Sequence, residues 1–259
     1  MEKLKKFNLE DDYLEIKESL EYPCVSLTDD NGKLWVKEKP ISYIVAKYYI
    51  SEENVNKDIY LFTNYYFDFN HMINYYITDE GLKVERYENV YDGINQDCKF
   101  NTPGEHTVIF YIDNSIMDLD NIVINLNNAF NNVKKLISID FSHFLESSHV
   151  NSMNSMFNYC INLTSVTFGD NFDTSNVTNM DSMFRDCDSL TSLDLSSFDT
   201  SNVTEMSFMF NGCFKLTSLD LSGWDISKVN DGWCAFGFGN NDAVIGVDPT
   251  LDVFNCMPI

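Results

Sequence analysis

In the second half of the chain, apolar residues return on a fixed beat. Leu136/Ile139/Phe141, Leu163/Val166/Phe168, Leu190/Leu193/Leu195 and Leu216/Leu219/Leu221 each spell the same L-x-x-L-x-L spacing. Alternation of this kind predicts a short strand with one face in a core. An F-x-x-C phrase precedes the later ones, at Phe157/Cys160, Phe184/Cys187 and Phe210/Cys213, in steps of 27 and 26 residues. One period upstream, Phe130 and Val133 take those places, and one period downstream Phe236 takes the first. After each strand phrase comes an aromatic (Phe172, Phe198, Trp224), then DTSNVT or DISKVN, then NMDSMF or EMSFMF. Thr178 and Asp181 fit a capping box, and Met180, Met183 and Phe184 have helical spacing. Each unit therefore predicts a strand, a turn and a single helical or 3₁₀ turn. Such a unit cannot bury its own apolar face, so the repeats predict a stack with one continuous core.

Residues 22–118 lose this period. CVSLTDDNGKLWV (24–36) places Asn31-Gly32 between two apolar runs, a hairpin signal because both residues tolerate positive φ. Further strand candidates are 42–50, 58–67, 72–81, 82–88 and 105–113, the last entered through Pro103-Gly104. Short strands at this spacing predict an antiparallel sandwich or barrel of immunoglobulin-like type. The first 20 residues predict either a short amphipathic helix, carrying Leu4, Phe7, Leu14, Ile16 and Leu20, or a frayed end. The expected organisation is an N-terminal arm (1–21), an anchoring β-sandwich (22–118), a repeat stack (119–236) and a C-terminal cap (237–259).

Composition supports sheet over helix. Four alanines (Ala46, Ala129, Ala235, Ala243) stand against 20 Phe and 14 Tyr, and alanine favours helices where aromatics favour strands. The formal net charge of −23, spread over both halves, argues against nucleic acid as a partner. No run approaches the roughly 18 apolar residues of a membrane helix. The N-terminus lacks the apolar core of a secretory signal as written. Seven scattered cysteines do not read as a disulfide framework.

LTSLDLSSFDTSNVTEMSFMFNGC (190–213) and its twin at 163–187 resemble the BspA-type leucine-rich repeat. The likeness extends back to about residue 122 and fades after 230. Repeats of this type occur in surface proteins of gut and oral bacteria and in virion appendage proteins of phages that infect gut Bacteroides. The resemblance implies recognition or scaffolding and brings no catalytic residues. YPCVSLTDDNGKLWVKEKP (22–40) and GEHTVIFYID (104–113) resemble segments that precede such repeats in phage appendage proteins, where they attach or space the stack.

Several columns of the stack carry chemistry to weigh. The outward strand positions Ser138, Asp140, Ser165, Thr167, Ser192, Asp194, Ser218 and Asp220 form a uniform, small, acidic face. This is the candidate interaction face, suited to broad polar contact and poorly suited to a snug pocket. Cys160, Cys187 and Cys213 stack at the rung spacing and read as small core residues in preference to a metal ladder. Asp173, Asp199 and Asp225 read as turn caps in preference to calcium ligands. Of the four histidines (His71, His106, His143 and His149), His143 and His149 lie six apart with no Cys or Asp at ligand spacing. The sequons at Asn162, Asn176 and Asn202 lie within the repeat phrase and read as accidental. GFGNND (237–242) reads as a turn, and Tyr48/Tyr49 and Tyr65/Tyr66 cannot each form a stacking platform, because strand neighbours face opposite sides.

These readings predict a non-enzymatic structural or display protein without cofactors or metals. It attaches through its N-terminal domain, most consistently to a phage virion, made in the host cytoplasm. The alternative is a bacterial cell-surface adhesin that binds host protein or glycan. The expected partners are proteins of such an assembly, with a glycan or a homo-oligomer also compatible, and without nucleic acid or membrane insertion.

Overall fold

The computed structural model describes residues 4–6, 24–28, 34–38, 42–63, 72–85, 97–112, 123–145, 147–217, 219–235 and 244–245. The Asn31-Gly32 turn, Tyr65/Tyr66, His71, Ser218, Phe236 and the GFGNND segment lie outside them. The described residues are mainly β and form no closed barrel. The chain divides into two compact units, residues 1–41 and 42–259.

The first unit holds strands β1 (Leu4–Lys6), β2 (Cys24–Thr28) and β3 (Leu34–Glu38). β2 and β3 pair antiparallel from Cys24↔Glu38 to Thr28↔Leu34, the hairpin that the sequence predicts. β1 pairs antiparallel with the other edge of β3. Leu4–Lys6 are therefore sheet, where the sequence offers a short amphipathic helix or a frayed end.

The second unit begins with β4 (Tyr43–Ile50), β5 (Ile59–Tyr60), β6 (Ile73–Thr78), β7 (Lys83–Glu85), β8 (Asp97–Cys98) and β9 (Gly104–Ile112). Strict alternation buries Ile44, Ala46, Tyr48 and Ile50 of β4, and His106, Val108, Phe110 and Ile112 of β9. The turn after β6 clamps the start of β9. Glu80 accepts the backbone N–H groups of Asn101 and Thr102, while Asp79 accepts that of Thr107 and lies 3.1 Å from His106 Nδ1.

The repeats contribute β10 (Ile124–Asn125), β11 (Leu136–Asp140), β12 (Val150–Ser152), β13 (Ser165–Thr167), β14 (Leu219–Asp220) and β15 (Val244–Ile245). The parallel pairs β11–β13, β10–β12 and β14–β15 join successive turns of the chain. A second parallel ladder runs through single bridges Ser152↔Asn179↔Glu205↔Asp231. Residues 190–195 keep Leu190 and Leu195 buried without a regular strand.

One sheet runs from the first half into the repeats, in the order β13-β11-β4-β9-β6-β7. β11 of the first repeat pairs antiparallel with β4, aligning Ile139 with Ala46 and Asp140 with Val45. The expected division at residues 118/119 falls inside this larger unit. Where two facing sheets were expected, β4, β9, β6 and β7 belong to the same sheet as the first repeat strands, beside a separate two-stranded β5–β8.

Candidate interaction face and the repeat ladders

The segment expected as a helical turn follows a different rule. Its N–H groups alternate between the next rung and their own turn. Met180, Ser182, Phe184 and Asp186 donate to the carbonyls of Glu205, Ser207, Met209 and Asn211 on the next rung. Met183, Arg185 and Cys187 donate three residues back, to Met180, Ser182 and Phe184. Asp181 completes the set by donating to Asn179 Oδ1 at 2.9 Å. Every N–H from Met180 to Cys187 is thus paired, as a buried backbone requires. The pattern needs left-handed residues, and they recur at Asn128, Ser155, Ser182, Phe208 and Cys234, with a second set at Asn132, Tyr159, Asp186 and Gly212. The capping box does not form, because the Thr178 hydroxyl lies 3.4 Å from the Asn151 carbonyl instead.

Side chains extend the rung-to-rung bonding. The buried hydroxyl of Thr174 donates to the Asp199 carbonyl at 3.1 Å and accepts the Asp199 N–H at 2.8 Å. Thr200 does the same with Asp225 one rung on. The sequon asparagines Asn162, Asn176 and Asn202 donate side-chain N–H groups to the carbonyls of Lys134, Ser148 and Ser175. This gives the repeated Asn a structural use.

The Cys column is a ladder of thiol donors. Cys160, Cys187 and Cys213 are fully buried, with Sγ 3.0, 3.1 and 3.0 Å from the carbonyls of Phe130, Phe157 and Phe184. Burial pushes all three thiols up, Cys213 to about 12, which keeps them protonated and able to donate. Beside them, Phe130, Phe157, Phe184 and Phe210 stack with centroids 5.7, 5.5 and 5.7 Å apart. Cys234, by contrast, is disulfide-bonded.

On the strand face, the register sets Ser138 beside Ser165 and Asp140 beside Thr167, and continues to Lys47 and Val45 of β4. Ser165, Thr167, Ser192, Asp194 and Asp220 are exposed, and Ser138 and Asp140 are half-buried. The carboxylates on this face also cap turns. Asp140, Asp194 and Asp220 accept the N–H groups of Ser142, Ser196 and Ser222 at 2.8, 3.0 and 3.0 Å. The column Asp173, Asp199 and Asp225 repeats this with Ser175, Ser201 and Ser227. Hydrogen bonds from the paired serines hold Asp194, Asp199, Asp220 and Asp225 below the usual carboxylate range. Among the described residues, no group of three His, Cys, Asp or Glu is placed to hold a metal ion. His143 stacks on Tyr43 at 4.4 Å, and His106 is buried at the start of β9, against the Asp79 clamp.

The repeat reading does not by itself reveal what lies at the first rung. There Thr63 donates its N–H to the Ala129 carbonyl at 2.8 Å, and its hydroxyl to the Asn131 carbonyl at 2.6 Å. Ala129 and Asn131 are one period before Met156 and Asn158, the carbonyls that accept N–H groups from the first rung. Tyr49 donates its N–H to the Lys135 carbonyl beside the β4–β11 pairing. The segment 42–63 thus supplies the donors that a preceding rung would supply.

Fold and ladders define a mainly β repeat protein whose polar side chains join one rung to the next. Residues 124–241, rather less than half of the chain, match the model of a BspA-related family described as "Mycoplasma protein of unknown function, DUF285". No curated protein and no solved structure matches the chain.

Proposed function

We propose that this chain is a non-enzymatic display protein built on a BspA-type leucine-rich-repeat solenoid. In this reading residues 42–112 cap the stack, and the separate compact unit of residues 1–41 attaches it to a larger assembly. A phage virion is the assembly proposed. The observation that carries the reading is the use of the polar groups. The Asp, Thr, Asn and Cys columns are each engaged in rung-to-rung or turn hydrogen bonds, as in a scaffold. The uniform face from Ser138 and Asp140 to Asp194 and Asp220 is then the displayed surface. Mass spectrometry of purified particles tests this: the chain is expected at a fixed stoichiometry, and its absence from particles overturns the virion reading.

A second reading, a bacterial cell-surface adhesin, is favoured by one observation. The disulfide at Cys234 suits an oxidising compartment outside the cytoplasm. Release of the chain by protease treatment of intact bacteria, with none in particles, would select this reading.

A further inference from the structure

The turn corner of the last rungs departs from the uniform repeat. Backbone hydrogen bonds align Asn128 with Asn154, Ser155 with Asp181, Ser182 with Ser207 and Phe208 with Trp233. Phe208 therefore stands where earlier rungs carry Asn128, Ser155 and Ser182, and Trp233 where they carry Asn154, Asp181 and Ser207. Small polar residues give way to two large aromatics, Phe208 half-buried and Trp233 exposed. Trp233 is 52% exposed. Its ring meets that of Phe208 edge-on at 4.7 Å, and the Arg185 guanidinium lies 4.8 Å over the Phe208 ring.

Phe208 also holds φ at +57°, a left-handed conformation that a bulky side chain adopts at a cost. Serine occupies the same conformation at Ser155 and Ser182, so the fold does not require phenylalanine here. Strain retained at a half-buried residue, beside the exposed Trp233, points to use of the side chain.

The surroundings set the sign of the partner. Glu205 and Asp231 bridge directly on neighbouring rungs, both exposed, at the start of the segments that carry Phe208 and Trp233. The charges of Asp231 and Glu205 also add to the burial that raises the Asp181 carboxyl. The chain as a whole carries −23. An aromatic surface edged by carboxylates favours cations, which gain from the ring face and from the carboxylates together.

We propose that Phe208 and Trp233, with Glu205 and Asp231, form a docking patch for a basic protein segment. Its Lys or Arg stems lie along the Trp233 ring and its charged heads reach the two carboxylates. This deepens the display reading, on which it rests, by naming one locus and one partner chemistry.

The test compares the full-length protein with the double variant Phe208→Ser, Trp233→Ser, titrated with octalysine and octaarginine peptides by calorimetry. Both substitutions install residues that the same columns already carry, and neither changes the charge. The variant is expected to keep the wild-type circular dichroism spectrum and to lose at least about fivefold in affinity. Equal affinity of the two proteins overturns the patch, because bulk charge alone would then explain binding. Absence of peptide binding by the wild type, or binding of neutral oligosaccharides in its place, overturns the basic partner. None of these outcomes bears on the presence of the chain in particles, so the two readings fail separately.

Discussion

Thr63 donates its N–H to the Ala129 carbonyl over 2.8 Å, in the place that a donor from a preceding rung would take. The same residue bonds the Asn131 carbonyl through its hydroxyl at 2.6 Å. A stack of rungs has open ends, and an open sheet edge invites pairing with other chains. Thr63→Val keeps the shape and removes only the hydroxyl. The Asn131 carbonyl would lose that donor, at a cost of about 1–3 kcal/mol. Urea denaturation of the full chain checks this, with a shift of midpoint at unchanged slope as the expected outcome.

The thiol ladder gives a second prediction. Cys160, Cys187 and Cys213 are buried donors with raised pKa values, and thiolates are the reactive form. Folded protein should resist an aromatic disulfide reagent at these positions, and raising the pH to about 9 should not open them. Unfolded, unreduced protein should show five thiols, since the disulfide at Cys234 occupies two of seven cysteines. Cys160→Val should cost less than about 1.5 kcal/mol, because Val133 already fills that place on the preceding rung. A Cys187→Asp variant, which buries a charge, should fail to fold cooperatively.

Much of this was legible in the sequence. The L-x-x-L-x-L and F-x-x-C spacings place the buried Leu163, Leu190, Leu216, Phe157, Phe184 and Phe210 correctly. The Met180/Met183/Phe184 spacing misleads because alternating turns return side chains inward at nearly helical intervals. Only the left-handed residues distinguish the two, and Ser155 and Ser182 do not announce positive φ as glycine would. The continuous sheet was hidden for another reason. The alternation of β4 is complete in itself, and nothing in it names β11 as its partner. On the candidate face, the Ser and Asp residues were found, but their second use as turn caps depends on hydrogen bonds that spacing does not show.

Acid should loosen the stack through the capping aspartates. Asp194, Asp199, Asp220 and Asp225 have pKa values lowered in the fold by their serine partners. A lowered folded-state pKa gives stability that is present above the unfolded value of about 3.9 and is lost as pH falls through the folded value. The thermal midpoint is therefore expected to drop below about pH 4. Replacing the four with Asn keeps the turn-capping geometry and removes the titration. That variant should show a flatter midpoint between about pH 4 and pH 2.5 in scanning calorimetry.

Asp181 should act with the opposite sign. Burial first, then the charges of Asp231 and Glu205, raise its pKa above the usual carboxylate range. Its ionisation therefore works against the fold at neutral pH, and the penalty is lost as pH falls through the raised value to the ordinary value of about 3.9. Asp181→Asn should raise the thermal midpoint at pH 7 and leave it nearly unchanged at pH 4, with circular dichroism melts at the two pH values as the check.

Gly169 and Gly223 make a matched pair for backbone strain. Gly169 holds φ at +76°, and a Cβ built there would lie 2.8 Å from Ser142 Cα, so both conformation and space exclude a side chain. Gly223 has nothing within 4 Å of the same atom and an ordinary φ. Gly169→Ala should cost about 1–2 kcal/mol for the left-handed residue alone, with the clash added to it. Gly223→Ala should be neutral to slightly stabilising, since alanine narrows the unfolded ensemble. Phe208 extends the comparison to a residue that holds φ at +57° and carries a large side chain. Phe208→Asn, which suits that conformation, should raise stability by about 1 kcal/mol while weakening capture of basic peptides. Stability and binding moving in opposite directions at one residue would mark Phe208 as held for its surface. If both fell together, its ring would be part of the packing and the patch would lose its central member.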